Sequence, residues 1–196
     1  ARRAMRAVPR RRLADTLDGE KARLVGRVQV ERPVSAPLSG RRCAYWRVVV
    51  EEKKSSGRSA YWDELVDEHD GVDFFLRDGE AEALVKTTFV HAVLDQDARD
   101  HTSLFRSVSP ELQRFLHERG VSTRGLLFGK TLRCREGVVE PGETVAVVGV
   151  GRWERDPDER ARAGAGYREA RMPQRLVVDA PREGPTLISD EPRMLR

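Results

Sequence analysis

Gly125 to Thr131 ends in Gly-Lys-Thr, the closing half of a loop whose backbone amides wrap phosphates. The spacing fails. One residue fewer separates Gly125 from Gly129 than a P-loop requires, and the segment continues as a predicted strand, so no helix N-terminus is offered to a phosphate. Gly149-Val150-Gly151 follows an apolar strand as a dinucleotide fingerprint does, but the third glycine is missing and Trp153-Glu154-Arg155-Asp156-Pro157 breaks any immediate helix. These glycines are read as structural. His69, His91, His101 and His117 make no i, i+4 pair, and none stands beside a cysteine or in a zincin pattern. Glu64, Asp67, Glu68 and Asp70 cluster around His69, which would suit acid/base chemistry or a divalent cation if a strand presented alternate members on one face. A solvated strand edge is the simpler reading. There is no Gly-x-Ser-x-Gly elbow, and Ser35, Ser39, Ser103 and Ser109 have loop or capping roles. Cys43 and Cys134 are far apart on predicted strands, too few for a disulfide framework or a zinc site of about four ligands. They are expected to be buried thiols. The residues thus give no catalytic, cofactor or metal site.

Charge points elsewhere. Arg2, Arg3, Arg6, Arg10, Arg11 and Arg12 stand together with no acid among residues 1–12, a density that suits anionic lipid headgroups or nucleic acid phosphates, or simply a disordered basic tail. Beyond that stretch acids and bases interleave, the pattern of a solvated surface, and the formal net charge is +4. Hydrophobic residues are 39% of the chain and charged residues 35%, which excludes global disorder and leaves a folded centre with loose ends. No apolar run reaches the roughly 18 residues a membrane helix needs, and the start lacks the apolar core of a signal peptide. The first residue is Ala rather than Met, as in a segment excised from something longer.

The elements that would carry these residues are mainly strands. Leu13 to Glu20 reads as a helical turn closed by Asp18-Gly19, and Ala22 to Glu31 as a strand with Ala22, Leu24, Gly26, Val28 and Val30 on one face and Val25 as the misfit. The two prolines between Arg32 and Gly40 make an ordered loop or edge crossing. Arg42 to Lys53 is the strongest strand, Lys54 to Ser59 a hairpin tip, and Tyr61 to His69 the return strand with Trp62 in the core; with the first strand these form a meander. Asp78-Gly79-Glu80 turns a hairpin between 72–77 and 81–90. A polar loop runs to His101. Ser109-Pro110-Glu111 starts a helix that Gly120 ends, with Leu112, Phe115 and Leu116 facing the body. Strands follow at 126–134 and 144–150 around a Pro141-Gly142 turn, then a loop or short helix at 153–166, then short strands at 168–172, 176–180 and 186–189. The fold expected is mainly β: an antiparallel barrel or sandwich with one inserted helix near 109–119.

Several of these residues also carry a resemblance. Gly26-x-Val28, then Pro33-Val34-x-Ala36-Pro37-Leu38-Ser39-Gly40-x-x-Cys43-Ala44-Tyr45, the valine strand ending at Glu51 and Glu52, Trp62, Phe74-x-Leu76-x-Asp78, the helix around Leu112 to Leu116, and Glu136-x-x-x-x-Pro141-Gly142-Glu143-x-Val145-x-Val147-x-Gly149 resemble, in order, the GIDE or BAM (beside-a-membrane) domain. The likeness covers roughly residues 20 to 152 and rests on packing and turn residues. In the family's eukaryotic members this domain lies between two transmembrane helices of membrane-anchored ubiquitin ligases, and a cytosolic RING supplies the activity. Two cysteines cannot build a RING, so ligase activity is not carried over, and the Arg-rich composition suits a bacterial relative. The resemblance implies one domain over 13–190, a basic juxtamembrane tail at 1–12 and a C-terminal tail at 191–196. It makes Arg193-Met194-Leu195-Arg196 and the basic start the trimmed flanks of membrane helices.

The function expected is a non-catalytic, membrane-associated interaction or sensing module of a larger anchored protein, needing no cofactor, with an unidentified protein partner and an anionic membrane surface as its contacts. A second reading is an OB-like barrel binding single-stranded nucleic acid through Tyr45, Trp46, Arg47, Tyr61 and Trp62. A third is a hydrolase built on Asp67 and His69.

Overall fold

The computed structural model describes residues 1–56, 59–94, 109–121, 131–156 and 174–196. His101, Ser103, the Gly125 to Lys130 part of the P-loop-like stretch, the first residues of the strand expected at 126–134, the loop or helix expected at 153–166 beyond Asp156, and the strand expected at 168–172 lie outside the described residues. The chain divides into two compact units, the first drawing on 1–32, 72–94 and 141–196 and the second on 33–71 and 95–140.

The first unit is built on a closed ring of five strands: β2 (Lys21–Gln29), β7 (Phe74–Asp78), β8 (Ala81–Val85), β12 (Gln174–Asp179) and β11 (Thr144–Arg155). β11 makes both seams, pairing with β2 along 144–150 and with β12 along 150–155. Every pairing in the ring is antiparallel except β8 with β12. That exception is forced: each antiparallel step reverses strand direction, and five reversals cannot return to the starting direction. The expected β-barrel is therefore present in mixed form. Parallel additions extend it, with β1 (Arg10–Arg11) on β2 and β9 (Val90–Val93) on β13 (Thr186–Ser189), which itself pairs with β11.

Close approach explains the glycines of this unit. A Cβ on Gly26 would stand 2.5 Å from the Arg77 carbonyl oxygen, and one on Gly149 would stand 2.7 Å from Val178 Cγ1. A Cβ on Gly151 would meet Thr16 Cγ2 at 2.6 Å, so the Gly149-Val150-Gly151 sequence is where neighbouring chain packs directly on the β11 backbone.

Both ends of the chain are folded into this unit and are not tails. Residues Arg2–Ala7 form helix α1, whose Met5 is fully buried. Met5 packs with Val25, Ala146, Val148 and Met194, and Val8, Leu187 and Leu195 border the cluster. Val25 and Ala146 are cross-strand partners and so share a face. The misfit of the alternating pattern in β2 is thus the residue that seats α1. A helix of six residues is marginal in isolation, so burial of Met5 supplies its hold. Arg2 adds an ion pair to Glu191 at 2.5 Å, and Arg23 Nη1 donates to the Met194 carbonyl at 3.2 Å.

The second unit is an antiparallel sheet of β10 (Leu132–Val139), β5 (Tyr45–Ser56) and β6 (Ser59–Gly71), in that order, with a two-residue-per-strand hairpin of β3 (Val34–Ser35) and β4 (Arg42–Cys43) and the helix α2 (Pro110–Glu118). β5 and β6 remain paired to Ser56 and Ser59, so the tip expected over 54–59 is mostly strand. The first strand, β2, belongs to the ring rather than to a meander with this hairpin. Trp46, Val48 and Val50 from β5, Leu132, Cys134 and Val138 from β10, and Leu112, Phe115 and Leu116 from α2 make the core of this unit. Trp62, expected in the core, is half-buried on the other face beneath the Arg133 guanidinium, 4.3 Å from its ring centroid. Its strand position accounts for this: it pairs with Lys53, past the irregularity between Val50 and Glu51.

The start of α2 matches the local signals. Ser109 accepts the Leu112 N–H at 3.2 Å, Pro110 occupies the first turn, and Gly120 takes φ +70° after the helix.

Candidate functional site

Because α1 is pinned by Met5, the arginines around it are held in place. Arg2, Arg3, Arg6, Arg10, Arg11 and Arg12 are all exposed. Arg2 pairs with Glu191, Arg11 with Glu20 at 2.9 Å, and Arg12 lies 4.0 Å from Asp15. Glu20 is held below the usual carboxylate range by the Leu17 N–H and by Arg11. Arg3, Arg6 and Arg10 meet no acid among the described residues. Arg3 and Arg6 on α1 and Arg10 on β1 are thus exposed guanidinium groups with no acid at ion-pair distance among the described residues. Met194 and Leu195 bring the last residues of the chain into the same cluster, with Arg193 and Arg196 exposed beside them in sequence. Sequence reasoning found these arginines but not Met5, whose single apolar side chain in a run of bases is a weak amphipathic signal.

A cleft of about 340 Å³ adjoins α1, lined by Ala1, Ala4, Lys21, His91, Val148 and Glu183 among others. Its lining holds both Lys21 and Glu183, so it carries no single sign of charge.

The second unit places the other residues singled out by sequence. Two of the acids around His69 are ion-paired: Asp67 accepts from Arg47 Nε at 2.8 Å and Nη2 at 2.6 Å, and Glu68 takes Arg119, at the end of α2, in a two-pronged pair, with Nη2 at 2.6 Å. The Arg119 hydrogen bonds hold the Glu68 carboxyl below its ordinary range. His69 stacks on Tyr45 at 5.8 Å. Asp67 and His69 are therefore parts of an ion-paired and stacked strand surface. Glu51, on the same face as Asp67, takes both Arg133 (2.6 Å) and Arg135 (2.6 Å), and the Arg133 hydrogen bond lowers its pKa. No group of three His, Cys, Asp or Glu residues is arranged to hold a metal among the described residues.

Tyr45 and Trp46 are buried, Arg47 is paired, Trp62 lies under Arg133, and only Tyr61 is well exposed. These five residues sit on the open sheet and not on the barrel that the nucleic-acid reading required.

The residue that sequence reasoning placed only as part of a motif is Glu136. It is 2% exposed, and its two carboxylate oxygens accept the Leu38 N–H at 2.9 Å and the Ser39 N–H at 3.0 Å. A buried charge is tolerated when it is well hydrogen-bonded, and here the bonds fix the Ala36 to Gly40 turn, where Gly40 has φ +69°. Cys43 follows this turn; burial, with Glu136 and Glu140 nearby, pushes its thiol up to about 11. Cys43 and Cys134 are both buried thiols without a disulfide.

No helix among the described residues is long and apolar enough to cross a membrane. No protein-family model, curated protein or solved structure matches the chain.

Proposed function

We propose that this chain is a non-catalytic binding module that works beside an anionic membrane surface, with the α1 face as its lipid contact. The observation that carries the reading is that Arg3 and Arg6 stand exposed on a helix anchored by the burial of Met5 and Arg10 on the strand β1 that follows, with no acid at ion-pair distance from them among the described residues. A held cluster of bases loses less conformational freedom on meeting headgroups than a loose tail would. The GIDE/BAM resemblance supports the same reading and makes the module part of a larger anchored protein. Any chain continuing from either end would leave beside the Met5 and Met194 cluster.

The test is co-sedimentation with phosphatidylserine-rich and phosphatidylcholine vesicles. The chain is expected to bind the anionic vesicles at low salt and to release as salt rises. At roughly 1 kcal/mol per arginine near such a surface, replacing Arg3, Arg6 and Arg10 by Ala should weaken binding by about 3 kcal/mol, on the order of 100-fold. Equal binding to both vesicle types, or no loss in the triple variant, ends this reading. Adding a single-stranded oligonucleotide tests the nucleic-acid alternative, which has the lesser support because its aromatic set is largely buried. Displacement from vesicles that vanishes in Trp62→Ala would favour it.

A further inference from the structure

We propose that the cleft beside α1 is a headgroup site for an aminophospholipid, taking a phosphate and a primary ammonium together. Such a site rests on the lipid reading above and gives the α1 face a preference among lipids. All of the cleft's lining belongs to the first unit, and its floor follows from strand register. Val148 of β11 pairs with Leu187 of β13, and Leu187 with His91 of β9, so the three stand in one row on one face. Arg23 pairs with Val148 from the other side, which puts Lys21, two residues before it in β2, on that same face. Val25 and Ala146 continue the face under Met5. α1 therefore covers one end of the face, and its Ala4 lines the cleft that remains beside it. A volume of about 340 Å³ is at the lower end for a small-molecule site.

The charges select the ligand. Lys21 and Glu183 both line the cleft, and neither forms an ion pair among the described residues. A cation and an anion that share a cleft without meeting each other complement a ligand whose own two charges are held apart. In a phosphoethanolamine headgroup a short methylene linker separates phosphate from ammonium. Lys21 would take the phosphate and Glu183 the ammonium, with the linker over Val148 and Leu187. Two features assign this ligand to a bilayer. Arg3 and Arg6 stand exposed on the helix that borders the cleft. Phe89, 56% exposed, lies two residues before His91, and its carbonyl accepts the Thr186 N–H at 2.9 Å. An exposed aromatic ring next to a headgroup site suits the boundary between headgroups and acyl chains.

The test is co-sedimentation of the whole chain with two vesicle preparations of equal phosphatidylglycerol content, one completed with phosphatidylethanolamine and the other with phosphatidylcholine. Both carry the same surface charge, but only the ethanolamine headgroup keeps N–H groups that can donate to Glu183. Binding to the ethanolamine mixture is expected to be about fivefold tighter, the upper range for one exposed ion pair. Glu183→Gln, at an exposed side chain that holds no ion pair, should bring the two mixtures to equal binding. Arg3→Ala with Arg6→Ala should weaken both and leave their ratio unchanged. Equal binding of the original chain to both mixtures overturns the headgroup site and leaves the lipid reading standing, whereas no binding to either overturns both. A preference that persists in Glu183→Gln would mark the looser packing of ethanolamine lipids and overturns the site as well. If free O-phosphoethanolamine raises the melting temperature while the vesicles show no preference, the ligand is a soluble one and the assignment to a lipid falls.

Discussion

The two units solve the same problem of strand edges in opposite ways. In the first, β2, β7, β8, β12 and β11 close on one another, and the strands left outside the ring, β1, β9 and β13, have two, four and four residues. In the second, β6 is the last strand of its sheet among the described residues. The ring is held by valine-rich seams with glycines where backbone packs on backbone. The sheet has an apolar face under α2 and an opposite face stitched by Arg47 with Asp67 and by Glu51 with Arg133 and Arg135. Closure leaves the ring without an edge, whereas the sheet ends on β6 and β10 among the described residues. Exposed ion pairs of this kind add little stability individually but set a charge pattern that a partner can read.

The sharpest way to break the comparison is at a seam. Gly26→Val places side chain where the Arg77 carbonyl stands 2.5 Å from a mere Cβ, and moving backbone is the only relief. Urea denaturation should show a loss of about 3 kcal/mol or more, as expected for severe overpacking. An intact midpoint would mean that the β2 and β7 seam is loose.

In the sheet unit the largest effect is expected at Glu136→Ala, which leaves the Leu38 and Ser39 amides without their acceptor. The loss should be about 2 kcal/mol by the same denaturation, and Glu136→Gln, which retains one acceptor oxygen, should recover part of it. If the alanine and glutamine variants lose nothing, the turn does not depend on the carboxylate.

Acid gives the smallest and most gradual difference. Glu51 and Glu68 have folded-state values lowered from 4.5 by arginine hydrogen bonds. Their contribution is fully present above that unfolded value and is lost as the pH falls through the lowered folded values. Stability monitored by tryptophan fluorescence should therefore decline below about pH 4.5, and Glu51→Gln should make that decline shallower. A slope identical in both proteins would place the acid sensitivity elsewhere.

What could be read from the sequence was what is local. Ser109, Pro110 and Gly120 bounded α2 because each acts on backbone within a turn of itself. Asp78-Gly79 marked the β7 and β8 hairpin, with Gly79 at φ +63°, for the same reason. The ring could not be read, because its strands come from three separated stretches and nothing local in β2 says whether it pairs with β5 or with β11. Residue periodicity also left Val25 unexplained, since its partner Met5 sits twenty residues earlier in a run that looks like a solvated tail. The arginines of the candidate lipid face were plain from composition; that they are held rather than loose depends on this one contact. The strand order of the sheet was hidden too, since β10, which pairs with β5, comes about eighty residues after it in the chain.

The distribution of sulfur gives the chain a built-in reporter. Both cysteines, Cys43 and Cys134, lie in the core of the sheet unit, and the barrel has none. With the Cys43 thiol raised to about 11 by burial, a thiol-reactive dye at neutral pH is kept out until that core opens. Pulse labelling read by mass spectrometry would thus time the breathing of one unit while remaining blind to the other, and it needs no engineered residue to do so.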